Sequence, residues 1–118
     1  MGRNRWCCRR DEEAIPILTD TLQEDNKYMR SYAVHALGRL GARQAVPQII
    51  ESLTDKDRAI RRRAANALGL LGDTQAVPFL IETLKDDSKR VRLNAITALG
   101  LLGDKRATPL LLDALNDN

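Results

Sequence analysis

The side chains able to do covalent or acid–base chemistry are few and scattered along the 118 residues: one histidine, His35, two cysteines, Cys7 and Cys8, and carboxylates grouped at Asp55, Asp57, Asp86 and Asp87. A thiol or hydroxyl nucleophile needs a base held within hydrogen-bond reach, and His35 has no second histidine to accompany it. No G-x-S-x-G elbow and no Gly-rich phosphate loop occurs. Cys7 and Cys8 are adjacent, which fits neither C-x-x-C metal spacing nor disulfide geometry. They read as free thiols; lipidation is the sharper alternative, and Trp6 stands where a myristoylation signal wants Ser or Thr. The four aspartates fall in turns between helices, where capping accounts for them. The expectation is no catalytic, cofactor or metal site, with His35 as a polar contact residue.

Recognition chemistry is better represented. Lys27, Tyr28, Ser31, Tyr32, His35 and Arg39 are answered by Arg58, Ala59, Arg62, Arg63, Asn66 and Leu70, and again by Lys89, Arg90, Leu93, Asn94, Thr97 and Leu101. Seven of these eighteen residues are Lys or Arg and none is acidic, so all 16 carboxylates lie elsewhere. A solvated helix face ordinarily interleaves charges of both signs. Tyr and Arg are also the side chains most enriched at interface hot spots, and a basic face steers an acidic partner. The predicted contact residues are therefore this set without Lys27, Ser31, Ala59, Lys89 and Thr97.

The elements that must carry these residues follow from a 31-residue step. It connects Pro16, Pro47, Pro78 and Pro109, then Leu22, Leu53, Leu84 and Leu115, then Arg30, Arg61 and Arg92, and finally Gly41, Gly72 and Gly103. Segments 42–72 and 73–103 are identical at 16 of 31 positions. Each unit reads as two helices. In helix A, proline suits the first turn, where a missing N–H costs nothing, and Val77, Leu80, Ile81 and Leu84 show helical spacing. Asn26, Asp57 and Ser88 cap helix B, whose stripe is Val91, Ala95, Ala98, Leu99 and Leu102 in the third unit, and glycine ends it. Asp11, Asp73 and Asp104 open their units, and Ala42 leaves the second poorly capped. Arg30, Arg61 and Arg92 are expected to form structural ion pairs with carboxylates such as Asp57 or Asp87.

A single hairpin cannot bury its apolar stripes, so stacked units form one core. The predicted fold is all-α, a right-handed α–α superhelix of three full repeats (11–41, 42–72 and 73–103) with a partial fourth at 104–118. Residues 1–10 form a basic arm or a remnant helix, since Trp6 stands 31 residues before Leu37. Leu111, Leu112 and Leu115 in the spare helix A have no following helix B to cover them, so the open ends offer a route to self-association.

The string Ala-Val-Pro-x-x-Ile-x-x-Leu, then Val/Ile-Arg, then Ala-Leu-Gly-x-Leu-Gly spans 45–72 and 76–103, and more loosely 14–41. It resembles the HEAT-like repeat of the phycobilisome-lyase type. The resemblance implies a solenoid, in a family that includes subunits of lyases attaching bilins to phycobiliproteins, an iron-dependent deoxyhypusine hydroxylase, and natural and designed binding proteins. The hydroxylase holds iron through His-Glu pairs, and here His35 is followed by Ala36.

The functional expectation is a non-catalytic protein–protein interaction module that grips an acidic partner through the cationic helix-B face. The alternative is a subunit of a bilin lyase or related chromophore-handling complex. Nucleic-acid binding is third, because three units are few for wrapping a duplex. The net charge of +3 is carried by the arm: removing Arg3, Arg5, Arg9 and Arg10 leaves 15 basic against 16 acidic residues. No apolar run reaches the ~18 residues of a membrane span, and no secretory segment follows the basic start, so the expected location is cytoplasmic.

Overall fold

A computed structural model describes residues 13–103 of the chain. The arm with Trp6, Cys7 and Cys8, the capping positions Asp11 and Asp104, and the fourth helix A lie outside the described residues. Every regular element described is helical. Residues 13–21 form α1. Next come α2 (Lys27–Leu40), a 3-10 turn (Arg43–Ala45) leading into α3 (Val46–Ser52), and α4 (Arg58–Leu71). A second 3-10 turn (Thr74–Ala76), α5 (Val77–Thr83) and α6 (Lys89–Leu102) complete the series. The A helices are α1, α3 and α5; the B helices are α2, α4 and α6. No described helix is long and apolar enough to cross a membrane.

The ends of the B helices are set by the residues expected to set them, whereas α3 and α5 begin at Ala45 and Ala76 with no side-chain cap. The Asn26 side chain accepts from the Tyr28 and Met29 N–H groups, Asp57 from Ala59, and Ser88 from Val91. Each satisfies a donor that the first helical turn leaves unpaired. Asp73 accepts from the Gln75 N–H at 2.9 Å, whereas Ala42 provides no side-chain cap. Gly41, Gly72 and Gly103 end the B helices at φ of 71°, 69° and 65°, a left-handed conformation that glycine adopts without Cβ strain. Pro47 and Pro78 occupy the first turns of α3 and α5. A 3-10 turn precedes each of these A helices, so they are shorter than the 31-residue step suggests: seven residues against fourteen for each B helix.

The B helices pack side by side, α2 on α4 and α4 on α6, while α3 and α5 pack chiefly on the B helix of their own unit. The core is a continuous aliphatic layer. Val34, Leu37, Ile60, Leu68, Val91 and Leu99 enter it from the B helices, and Val46, Ile49, Val77 and Leu80 from the A helices, all fully buried. Burying each such side chain is worth about 1.5–3 kcal/mol relative to exposure, and this term holds the hairpins together. Ile81, Leu84 and Leu102 flank the layer half-buried. Ala33, Ala64 and Ala95 are wholly buried, and their small size lets neighbouring units approach closely.

The arginine ladder differs from expectation in its partners. Arg30 donates from Nε to Asp55 Oδ2 at 3.0 Å, and Arg61 donates from Nε to Asp86 Oδ2 at 2.8 Å. Asp57 takes no part, because its carboxylate is spent capping α4. Asp87 is a secondary partner of Arg61 at 3.3 Å. Asp55 and Asp86 each also accept the N–H two residues on, at 2.9 Å, which fixes the carboxylate within the turn. Arg92 reaches the Asp86 carbonyl oxygen at 2.7 Å. Each of the first two arginines thus ties one unit to the turn of the next.

Candidate functional site

The packing of α2, α4 and α6 in series brings the predicted contact residues onto three neighbouring helices. Tyr28 (74% exposed), Tyr32 (66%), Leu70 (56%), Leu93 (45%) and Leu101 (61%) stand out as large side chains left in solvent. His35, Arg39, Arg58, Asn66 and Arg90 are exposed, and Arg62, Arg63 and Asn94 are half-buried. None of the thirteen enters the core. Strongly exposed aromatic and branched apolar side chains beside cations give a surface able to desolvate against a partner while attracting carboxylates.

Two members of the set have further roles inside the molecule. Asn94 donates from Nδ2 to the Arg62 carbonyl oxygen at 3.2 Å, which pins α6 to α4. The Leu101 side chain lies over Gly69, with Cδ1 3.2 Å from the position a Cβ would take there. At the other end of the face, Lys27 Nζ sits 5.4 Å from the Tyr28 ring centre, within cation–π range.

The charges divide into two groups. Arg30 and Arg61 are spent on the ladder, with only 11% and 16% of their side chains exposed. Asp86 is held below its ordinary pKa. Burial alone raises it, but hydrogen bonds from the Ser88 N–H and from Arg61, with the Arg61 charge, outweigh burial. By contrast, Arg39, Arg58, Arg62, Arg63 and Arg90 pair with no described carboxylate. Among the described residues no group of His, Cys, Asp and Glu gathers in an arrangement fit for a metal ion.

One surface was not anticipated. On the A side, Ile50, Leu53, Phe79 and Thr83 line an open depression of about 720 Å³ together with charged residues that include Arg61, Asp86 and Asp87. Phe79 is 49% exposed. Its signal lay in the repeat: Ile17, Gln48 and Phe79 share the 31-residue step, and two of the three are large apolar side chains outside the buried stripe.

Comparison with known proteins agrees with this architecture. A family model described as HEAT repeats matches residues 7–60 and 46–118. Among solved structures, the complex of CpcE and CpcF of phycocyanin lyase from Nostoc sp. PCC7120 is similar at a TM-score of 0.82 and 34% sequence identity, over 86% of this chain. The chain spans 41% of the length of that protein. No curated protein matches. The resemblance drawn from the Ala-Val-Pro and Ala-Leu-Gly strings thus meets a lyase of the phycobilisome type in three dimensions. With capped helical hairpins stacked in register and family matches that together reach from residue 7 to residue 118, the chain belongs to the HEAT-repeat family.

Proposed function

We propose that this chain works as a protein-binding subunit of a phycocyanin-lyase-type complex, lending that complex a surface rather than a catalytic group. The observation that carries the reading is the 34% identity, sustained over 86% of the chain, with a complex of two lyase proteins. The acid-free B face, with Tyr28, Tyr32, Arg62 and Arg63, supplies a surface for the second protein. Such a subunit acts in the cytoplasm, beside the other members of the complex.

The test is a titration with purified CpcE and, separately, CpcF, read by light scattering after size exclusion. Phycocyanobilin is then added and its visible absorption followed. Formation of a defined complex with one of the two chains, and a bilin absorption change that needs both proteins, is the expected result. If neither chain associates, the reading is wrong.

A second reading, a stand-alone interaction module for an acidic protein, is favoured by the complete absence of carboxylates from the eighteen face positions. Tight binding to a lyase chain or another acidic protein with no bilin response selects it. Self-association through the ends of the solenoid belongs to either reading, since Gly100 repeats the buried Gly38 and Gly69 but is itself exposed. The mass of the chain alone, measured against concentration, checks it.

A further inference from the structure

The residues that hold a repeat protein together recur in every unit, whereas those that recognise something are free to differ between units. One place on the B face departs sharply from the repeat. Between the first turns of α4 and α6 lies a groove of about 520 Å³ lined by Arg58, Arg62, Lys89 and Arg90 together with Asp87 and Ser88. None of the four cations pairs with a described carboxylate. Asp87, the one acid at the groove, is already engaged by Arg61 at 3.3 Å.

The same place one unit earlier is built differently. The groove between α2 and α4 is smaller, about 370 Å³, and is lined by Asp25, Lys27, Arg30, Lys56 and Asp57. Its charges balance more nearly, and Arg30 is committed to Asp55. Stepping by 31 residues, Arg62 replaces Ser31 and Arg90 replaces Ala59. Ser88 likewise stands where the repeat has Asp57, so the second groove gains cations and loses an acid at these positions. The geometry between its walls is also fixed, because the Asn94 side chain grips the Arg62 backbone oxygen and holds α6 to α4 at that point.

We infer that this groove is a carboxylate-binding subsite that receives an acidic peptide segment of the protein partner, with adjacent side-chain carboxylates meeting Arg62 and Arg90. Four like charges gathered beside a single carboxylate that Arg61 already engages repel one another, and a ligand bearing two carboxylates relieves that repulsion while gaining hydrogen bonds from two guanidinium forks. A protein segment fits better than a bare anion because Leu93 stands exposed about one turn beyond Arg90 on α6. The inference rests on the B face being the binding surface. It does not require that the partner be a lyase chain.

The experiment uses the full chain, labelled with ¹⁵N, and the probe acetyl-Glu-Glu-Glu-Glu-amide at low salt. Expected are shifts concentrated on the amides of Lys89 and Arg90 and on the Nε–H groups of Arg58 and Arg62. Arg62→Gln with Arg90→Gln should weaken the peptide about tenfold, roughly 1.4 kcal/mol. Lys27→Gln with Lys56→Gln, in the neighbouring groove, should change it less than about twofold, and circular dichroism should show both variants folded. If the glutamine pair at 62 and 90 unfolds the chain, Arg62→Lys with Arg90→Lys, which keeps charge but loses the fork, should still weaken binding. Shifts spread evenly over all surface cations, equal loss from both glutamine pairs, or a single-stranded oligonucleotide that outcompetes the peptide would each overturn the inference. None of these results depends on CpcE or CpcF, so failure here leaves the lyase reading standing, and the reverse.

Discussion

Gly69 lies so close to Ala98 that a Cβ built on it would stand 2.9 Å from the Ala98 Cα. Gly38 has the same relation to Ala67, with its Cβ position 2.8 Å from the Ala67 Cβ. These are backbone-to-backbone approaches that no rotamer change can relieve, and they bring α2, α4 and α6 near enough to act as one surface.

Gly38→Ala and Gly69→Ala should therefore each destabilise the chain by about 1–3 kcal/mol through overpacking. Gly100→Ala, where no described residue lies within 4 Å, should be neutral or stabilising by up to about 1 kcal/mol, since alanine is the better helix former. Urea unfolding of the three variants checks the contrast. Equal effects at all three positions would mean that the close approach is not what glycine is there for.

The glycines also mark where sequence reading reached and where it stopped. The capping roles of Asn26, Asp57 and Ser88, and the left-handed glycines at 41, 72 and 103, were legible because local backbone chemistry dictates them. Gly38 and Gly69 fall within the Ala-Leu-Gly strings, but their reason is contact with the B helix of the next unit, which spacing alone does not disclose. The same limit explains the ladder. Arg30 and Arg61 were visible as repeated cations, yet the choice of Asp55 and Asp86 over Asp57 depends on which aspartate the stacking sets against the arginine of the preceding unit. The eighteen face positions came from helical periodicity and are indeed kept out of the core, while the groove between α4 and α6 needed two helices in place before its four cations could be seen together.

The Arg61–Asp86 pair sets an acid-side limit on stability. Asp86 has a lowered pKa in the folded state, so its ionised form favours folding. Its contribution is complete above the ordinary carboxylate range and is lost as pH falls through that range toward the lower folded value. At pH 7 Asp86→Asn should cost on the order of 2 kcal/mol, because Arg61 loses a charged acceptor in a nearly buried position. The difference between wild type and variant should be flat above about pH 5 and shrink steadily below it. Thermal unfolding between pH 2 and pH 8 measures this, and a pH-independent difference would contradict the assignment.

Gln48 is the one described residue with a buried side-chain atom lacking a hydrogen-bond partner, its Oε1. At the equivalent places stand Ile17 and Phe79. Gln48→Leu removes the unsatisfied acceptor and keeps the volume, so a gain of about 1 kcal/mol is expected in urea unfolding. A loss of stability would show that Gln48 has a partner in solution.

The central claim is that the acid-free face of α2, α4 and α6 is the surface that binds. Its most direct test compares Tyr32→Ala/Arg62→Ala with Ile17→Ser/Phe79→Ser, on opposite sides of the solenoid, for affinity to whichever of CpcE and CpcF associates with the wild-type chain. The B-side pair should lose binding by about tenfold or more, worth roughly 1.4 kcal/mol, while circular dichroism stays unchanged and the A-side pair binds as wild type. Retained binding by the B-side pair, with loss in the A-side pair, would contradict it.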